Sequence, residues 1–163
     1  MELVKKAETA LADVYKGAPK LSEKTREILV KIWPILALIF GILQLFAAVS
    51  LWNLVRSVTK AVTYYGVVLN TSVGYSGKDK FFLYLGLIFL VVDAVLLLMA
   101  YPKLKNRQKK GWDLIFLGSL LNVAYSIVNL FISGRGFGDF LLSLIGSAIG
   151  FYLVFQVRDK YKA

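Results

Sequence analysis

The sequence predicts an all-α, polytopic membrane protein, in which a bundle of four transmembrane helices follows an N-terminal amphipathic helix. Hydrophobic residues make up 58% of the 163 residues, and charged residues only 18%, whereas soluble domains contain about 25% charged residues. The uncharged stretches are also long, and basic residues are concentrated between particular stretches. Together these features exclude an ordinary soluble domain and a disordered chain.

Four consecutive stretches, 32–55, 81–102, 114–134 and 140–157, carry no charged side chain apart from Asp93 in the second. They place the spans at about 32–55, 81–101, 112–132 and 138–157. A helix rises about 1.5 Å per residue, so these stretches cover roughly 27–36 Å, which is close to the thickness of a bilayer core. Soluble helices of this length would show a polar face.

Residues 1–31 are predicted to form a cytoplasmic or interfacial segment. Glycine and proline at 17 and 19 end its first helix, and Ser22 is predicted to cap a second, short helix that leads into the first span. The first helix either lies on the inner membrane surface or packs beneath the bundle or against a partner. Its apolar stripe consists of Leu3, Val4, Ala7, Leu11, Val14 and Tyr15.

The distribution of lysine and arginine predicts the orientation. Seven lie before the first span, five between the second and third, and three after the fourth, against five on the opposite side. Because cytoplasmic loops are enriched in basic residues, we expect both termini in the cytoplasm, with 158–163 as a cytoplasmic tail, and the chain in the cell (inner) membrane. Trp33, Tyr101 and Trp112 at the inner ends of spans are typical of the membrane–water boundary.

The missing residue types narrow the possible chemistry. The chain has no Cys and no His, which excludes disulfides, thiol catalysis, cysteine-ligated metal centres and imidazole bases or ligands. No phosphate-binding loop, dinucleotide fingerprint or metal-binding spacing occurs. We therefore expect no enzymatic activity, no cofactor and no metal.

Asp93 is the only ionisable residue deep in a predicted span. A charge at that depth is costly, so such residues usually face the bundle interior or a water-filled cavity. Gln44 and Asn122 lie at similar depth and are the expected hydrogen-bond partners. The predicted intramembrane proton, ion or polar site comprises Asp93, Gln44, Asn122, Ser126 and Asn129. The alternative is a structural acid that joins helices.

The fourth span contains a small-residue pattern in which Gly146 and Gly150 are separated by three residues, with Ser143 preceding them. Small residues at this spacing let two helices approach closely. We expect a helix-packing face here, and the facing helix could belong to this chain or to another copy.

Five basic residues without an acid separate the second and third spans. Such juxtamembrane clusters attract anionic lipid head groups. Positive-inside topology already accounts for the cluster, so no nucleic-acid partner is expected. The predicted lipid-contact residues are Lys103, Lys105, Arg107, Lys109 and Lys110.

These features lead to two hypotheses about function. The first is a small, non-enzymatic structural or accessory subunit that assembles with itself or with other membrane proteins. The alternative is a small proton- or cation-coupled transporter that uses Asp93 as its intramembrane carboxylate. In its four helices and single carboxylate the chain resembles the small multidrug exporters in architecture, although none of their motifs occurs here.

Overall fold

The computed structural model describes residues 2–69, 77–130 and 137–162, which form five α-helices and one short 3₁₀-helix. Four of the helices, α2 to α5, are long and apolar enough to cross a membrane, as the hydropathy of the sequence predicts. The bounds are α1 Glu2–Tyr15, α2 Glu23–Leu69, α3 Gly77–Lys105, α4 Lys109–Asn129, α5 Phe137–Gln156 and the 3₁₀-helix Arg158–Lys160. Residues 131–132, the predicted end of the third span, lie outside the described residues.

Helix α2 is one continuous helix of 47 residues, about 70 Å long. Ser22 caps it as predicted, because its Oγ accepts a hydrogen bond from the Thr25 N–H at 3.2 Å. The prediction of a second, short helix before the first span is wrong, because α2 continues without a break through Pro34. Val30 and Ala37, about one turn on either side, are buried, so the helix is packed on both sides of the position where the proline removes a backbone donor.

The helices pack in chain order, α2 on α3, α3 on α4 and α4 on α5. Glycine allows the closest of these approaches. A Cβ built on Gly41 would lie 2.9 Å from Leu98, one on Gly86 would lie 2.7 Å from the Tyr125 hydroxyl, and one on Gly118 would lie 2.8 Å from Asp93 Oδ1. A side chain at any of these three glycines would force the facing Leu98, Tyr125 or Asp93 side chain to shift.

Helices α3 and α4 are joined by a tight turn, so the predicted basic loop consists mostly of helix ends. Arg107 adopts a left-handed conformation with φ 53°. Its N–H donates to Leu104 O, and the Gln108 N–H donates to Lys103 O. This pair of bonds is a Schellman motif, with an arginine at the position that glycine usually occupies.

The core lies at what we call the terminal end of the bundle, where α1, the start of α2, the α3–α4 turn and residues 157–162 meet. The predicted tail 158–163 is not a free tail over its described residues. The Lys109 N–H donates to Lys162 O, and the Lys162 N–H donates to Arg107 O. Tyr161, which lies between these contacts and the 3₁₀-helix, is only 4% exposed. The largest fully buried side chains are Trp112, Phe116, Leu104, Val154 and Val157.

Ion pairs tie α2 to the residues that follow α5. Arg26 pairs with Asp159, and Lys160 pairs with Glu23 at 2.6 Å. The hydrogen bond from Lys160 holds the pKa of Glu23 below its ordinary value. Likewise, the hydrogen bond from Arg107 lowers the pKa of Glu27. These contacts connect elements that are far apart in the sequence.

Helix α1 packs against the bundle, which agrees with one of the two predicted alternatives. The Tyr15 hydroxyl donates to Ala148 O at 2.8 Å, and its ring stacks on Phe155. Glu8 accepts a hydrogen bond from Arg158 at 2.6 Å. The prediction that Val14 belongs to the apolar stripe is wrong, because its side chain is 70% exposed. The helix turns Tyr15 toward α5, and the neighbouring position therefore points away from it.

Candidate functional site

Asp93 lies on α3 between α2 and α4, and it is 6% exposed. Its Oδ2 accepts two side-chain hydrogen bonds, from Gln44 Nε2 at 2.8 Å and from Asn122 Nδ2 at 3.3 Å. Asn122 also donates to Gly118 O, one turn earlier in its own helix. The structure therefore brings together three of the five residues predicted for the polar site.

Two oxygens of this cluster are buried without a hydrogen-bond partner within the described part of the chain. They are Asp93 Oδ1 and Gln44 Oε1. Buried polar atoms are rarely left unpaired, because the loss of hydration is not compensated. Both atoms are acceptors, so a proton, a hydrogen-bond donor or a cation would satisfy them.

A cavity of about 320 Å³ adjoins Asp93 and is bounded by α2, α3 and α4. Its volume lies at the lower limit of typical small-ligand pockets. Polar and aromatic side chains share its wall, with Gln44 and Asn122 near Asp93 and with Trp33 and Phe40 on α2. We call it the Asp93 cavity.

The two remaining residues of the predicted site do not join Asp93 in the described structure. Ser126 Oγ donates to Asn122 O in its own helix and contacts Ser143 Oγ on α5. The side chain of Asn129 lies outside the described residues. Asn122 and Ser126 therefore contact different helices, because the direction of a helical side chain turns by about 40° over one turn.

The three predicted helix-packing residues do not form one common contact. Ser143 meets Ser126 on α4. A Cβ built on Gly146 or Gly150, by contrast, has no atom of the described chain within 4 Å. The described residues supply no facing helix at these two glycines, so only a helix from outside this part of the chain could cover them.

The five predicted lipid-contact residues differ in their surroundings. Arg107 forms an ion pair with Glu27 at 2.8 Å, and Lys109 forms one with Asp113 at 2.7 Å. Lys105 and Lys110 are exposed and Lys103 is half-buried. Lipid contact stays a prediction for all five.

Sequence reasoning missed the glycine and the aromatic residues of this site. Gly118 leaves space for the Asp93 carboxylate against α4, and Trp33, Phe40 and Ser119 line the Asp93 cavity. One signal was available, because Gly118 lies four residues before Asn122 and therefore on the same helix face. For Trp33 and Phe40 only the packing of α2 against α3 shows the direction of the rings.

No known protein family matches this chain, and neither do any of the curated proteins or solved structures. The function is therefore argued from the chemistry of the Asp93 cavity and of the helix surfaces.

Proposed function

We propose that the protein is a small multi-pass membrane protein that binds a proton or a small cation at Asp93 and couples its movement to transport. The observation that carries this proposal is a pair of buried acceptors without a partner among the described residues, Asp93 Oδ1 and Gln44 Oε1, on two residues that line a cavity. An acid retained at this depth in apolar surroundings is most often part of an ion or proton pathway.

The composition of the cavity favours a cationic occupant. Among the described residues that line it, the only charged one is an acid, Asp93, and two aromatic rings share the wall. Aromatic faces attract cations, which adds to the attraction of the carboxylate. The amides of Gln44 and Asn122 hold Oδ2 in place, and Oδ1 is the carboxylate oxygen left without a partner among the described residues.

Replacing Asp93 with asparagine tests this proposal. The change Asp93→Asn keeps the side-chain shape and an oxygen that can accept from Gln44, so the fold should survive. We expect proteoliposomes containing the wild-type protein to dissipate an imposed pH gradient when a coupled cation is present, as read by a trapped pH-sensitive dye. The Asp93→Asn protein should fall to the rate of protein-free liposomes for protons, alkali cations and tetraalkylammonium ions.

The matched control is Asp113→Asn, which removes the same charge from a half-exposed acid outside the Asp93 cavity. It should retain wild-type flux. Equal flux through the wild-type and Asp93→Asn proteins, or no flux of any tested cation through the wild type, would contradict the transport proposal and leave Asp93 as a structural acid.

The surface of α5 supports a second candidate function, a non-enzymatic subunit that assembles with itself or another membrane protein. Gly146 and Gly150 lie open within the described chain. The large side chains beside them are exposed as well, namely Leu142, Ile145 and Ile149. A helix from a second chain could approach closely there.

Gly146→Leu tests this second candidate. Because its Cβ meets no described atom, leucine should leave the monomer folded, while weakening self-association in vesicles about tenfold, as expected for an interhelical contact of about 1–2 kcal/mol. Energy transfer between labelled copies provides the measurement. Gly138→Leu, at another open glycine of α5, is the control. Unchanged energy transfer in Gly146→Leu would exclude this face as the interface.

A further inference from the structure

A second, larger cavity lies at the terminal end of the bundle, with a volume of about 730 Å³. It is formed by the end of α1, the residues that join α1 to α2, and the end of α5. Its wall is strongly basic, and Tyr15 and Phe155 provide an aromatic surface beside the charges. We call it the terminal cavity. Its basic residues are Lys16, Lys20, Arg26, Lys109 and Arg158.

Two of these five cations are available to a ligand. Arg26 donates to Gln156 O and pairs with Asp159, while Arg158 pairs with Glu8 and Lys109 with Asp113. Lys16 and Lys20 are exposed and form no ion pair with any described residue. Asp13 and Asp159 are the only carboxylates among the described residues of the wall, so the net charge of these residues is positive.

The contacts of α1 place the terminal cavity beside the last turns of α5. Tyr15 bonds to Ala148 O, and Tyr152 bonds to Pro19 O. Ala148 lies eight residues before the end of α5, which corresponds to about 12 Å along the helix. If α5 crosses a membrane, the segment 15–20 therefore lies beside its last two turns, and the exposed Val14 lies at the boundary with lipid.

We infer that the terminal cavity binds the phosphate of an anionic phospholipid head group, with Lys16 and Lys20 as its ligands. Lysine ammonium groups bind phosphate oxygens through charge-assisted hydrogen bonds. Tyr15, Phe155 and Val14 provide the apolar surroundings that glycerol and the upper acyl chains require. This inference requires membrane insertion but is independent of the Asp93 site.

The terminal cavity differs from the basic cluster between the second and third spans. That cluster presents Lys105 and Lys110 on an exposed surface, so it would attract any anionic membrane without selecting one lipid. The terminal cavity is a recess between α1 and α5, and it would hold one lipid at a defined place. The two pairs of lysines therefore give a matched comparison.

The experiment compares Lys16→Gln/Lys20→Gln with Lys105→Gln/Lys110→Gln, which remove the same charge. Binding of phosphatidylglycerol and phosphatidylcholine to each protein in neutral detergent is measured by native mass spectrometry. Since each basic residue near a lipid surface contributes about 1 kcal/mol, we expect the first variant to bind phosphatidylglycerol about 30-fold more weakly. The second should change by less than about 3-fold, and phosphatidylcholine should bind weakly to all three proteins.

Equal losses in the two variants would overturn the inference, since they would show general attraction of an anionic lipid to a basic protein. No loss in Lys16→Gln/Lys20→Gln would overturn it as well. Inorganic phosphate at matched ionic strength should leave the lipid bound. If millimolar inorganic phosphate displaced the lipid, the terminal cavity would be assigned to a soluble phosphate compound instead of a lipid.

Discussion

Replacing Trp112 with alanine is expected to lower the free energy of unfolding by about 3–5 kcal/mol, as for other fully buried large aromatic residues. Trp112 is 2% exposed and stacks on Phe116 with the ring centroids 5.3 Å apart. Its Nε1 donates to Val154 O at 2.8 Å, so one side chain joins α4 to α5. Alanine would leave a cavity and an unpaired carbonyl.

Unfolding of the helices by SDS in mixed micelles, followed by circular dichroism, provides the measurement for Trp112→Ala. Trp52→Ala is the matched control, because Trp52 is 42% exposed and lies away from the core of the terminal end. We expect the control to lose less than about 1.5 kcal/mol. Similar losses in the two variants would mean that Trp112 lies at a lipid surface, as its position at the end of a span suggested.

Raising the pH from 10 to 12 is expected to remove about 2 kcal/mol of stability through Tyr161, because one pKa unit corresponds to 1.36 kcal/mol. Burial raises the pKa of Tyr161 to about 12, whereas a tyrosine in the unfolded chain ionises near 10. The folded state thus favours the neutral phenol. The stabilisation that the buried, neutral phenol provides is complete below pH 10, and it is lost as the pH rises through 12.

Tyr161→Phe isolates this effect. The Tyr161 hydroxyl has no hydrogen-bond partner among the described residues, so phenylalanine should match or slightly exceed the wild type at neutral pH. Between pH 10 and 12 the variant should lose less stability than the wild type in the same SDS titration. Lysines such as Lys160 titrate in both proteins and cancel in the difference. Parallel pH profiles would contradict the burial of Tyr161.

The number and approximate placement of the long helices could be predicted because they depend on local properties, namely the length and hydropathy of uncharged stretches. The grouping of Asp93 with Gln44 and Asn122 was predictable for a similar reason. Residues near the midpoints of neighbouring spans share a depth, and only one acid lies at that depth. The residue that makes space for it, Gly118, is identified only by the structure.

Contacts that depend on the rotation and tilt of helices could not be predicted. The glycines that meet a neighbouring helix include Gly41, Gly86 and Gly118, whereas the recognisable pattern at Gly146 and Gly150 faces open space within the described chain. Small residues at this spacing allow another helix to approach closely, but they do not identify which helix does so. For the same reason Ser126 turns toward α5 while Asn122 turns toward Asp93.

The terminal end was predicted least well because its contacts join residues far apart in the sequence. A charged C-terminal stretch has the composition of a free tail, yet Lys162 pairs with the α3–α4 turn and Arg158 with Glu8 on α1. Arg107 occupies a position that favours glycine, and its ion pair with Glu27 on α2 is a long-range contact. No local pattern indicates these pairings.

Water access to the Asp93 cavity within a membrane tests the central claim most directly. The chain has no cysteine, so a single introduced thiol can be read without background. Ser119→Cys lines the Asp93 cavity, while Val92→Cys lies beside Asp93 on an exposed face of α3. Because a thiol reacts as its hydrated thiolate, a hydrophilic maleimide should label Ser119→Cys in proteoliposomes and leave Val92→Cys unlabelled. An unlabelled Ser119→Cys, or rapid labelling of Val92→Cys, would contradict a hydrated carboxylate site inside a membrane-spanning bundle.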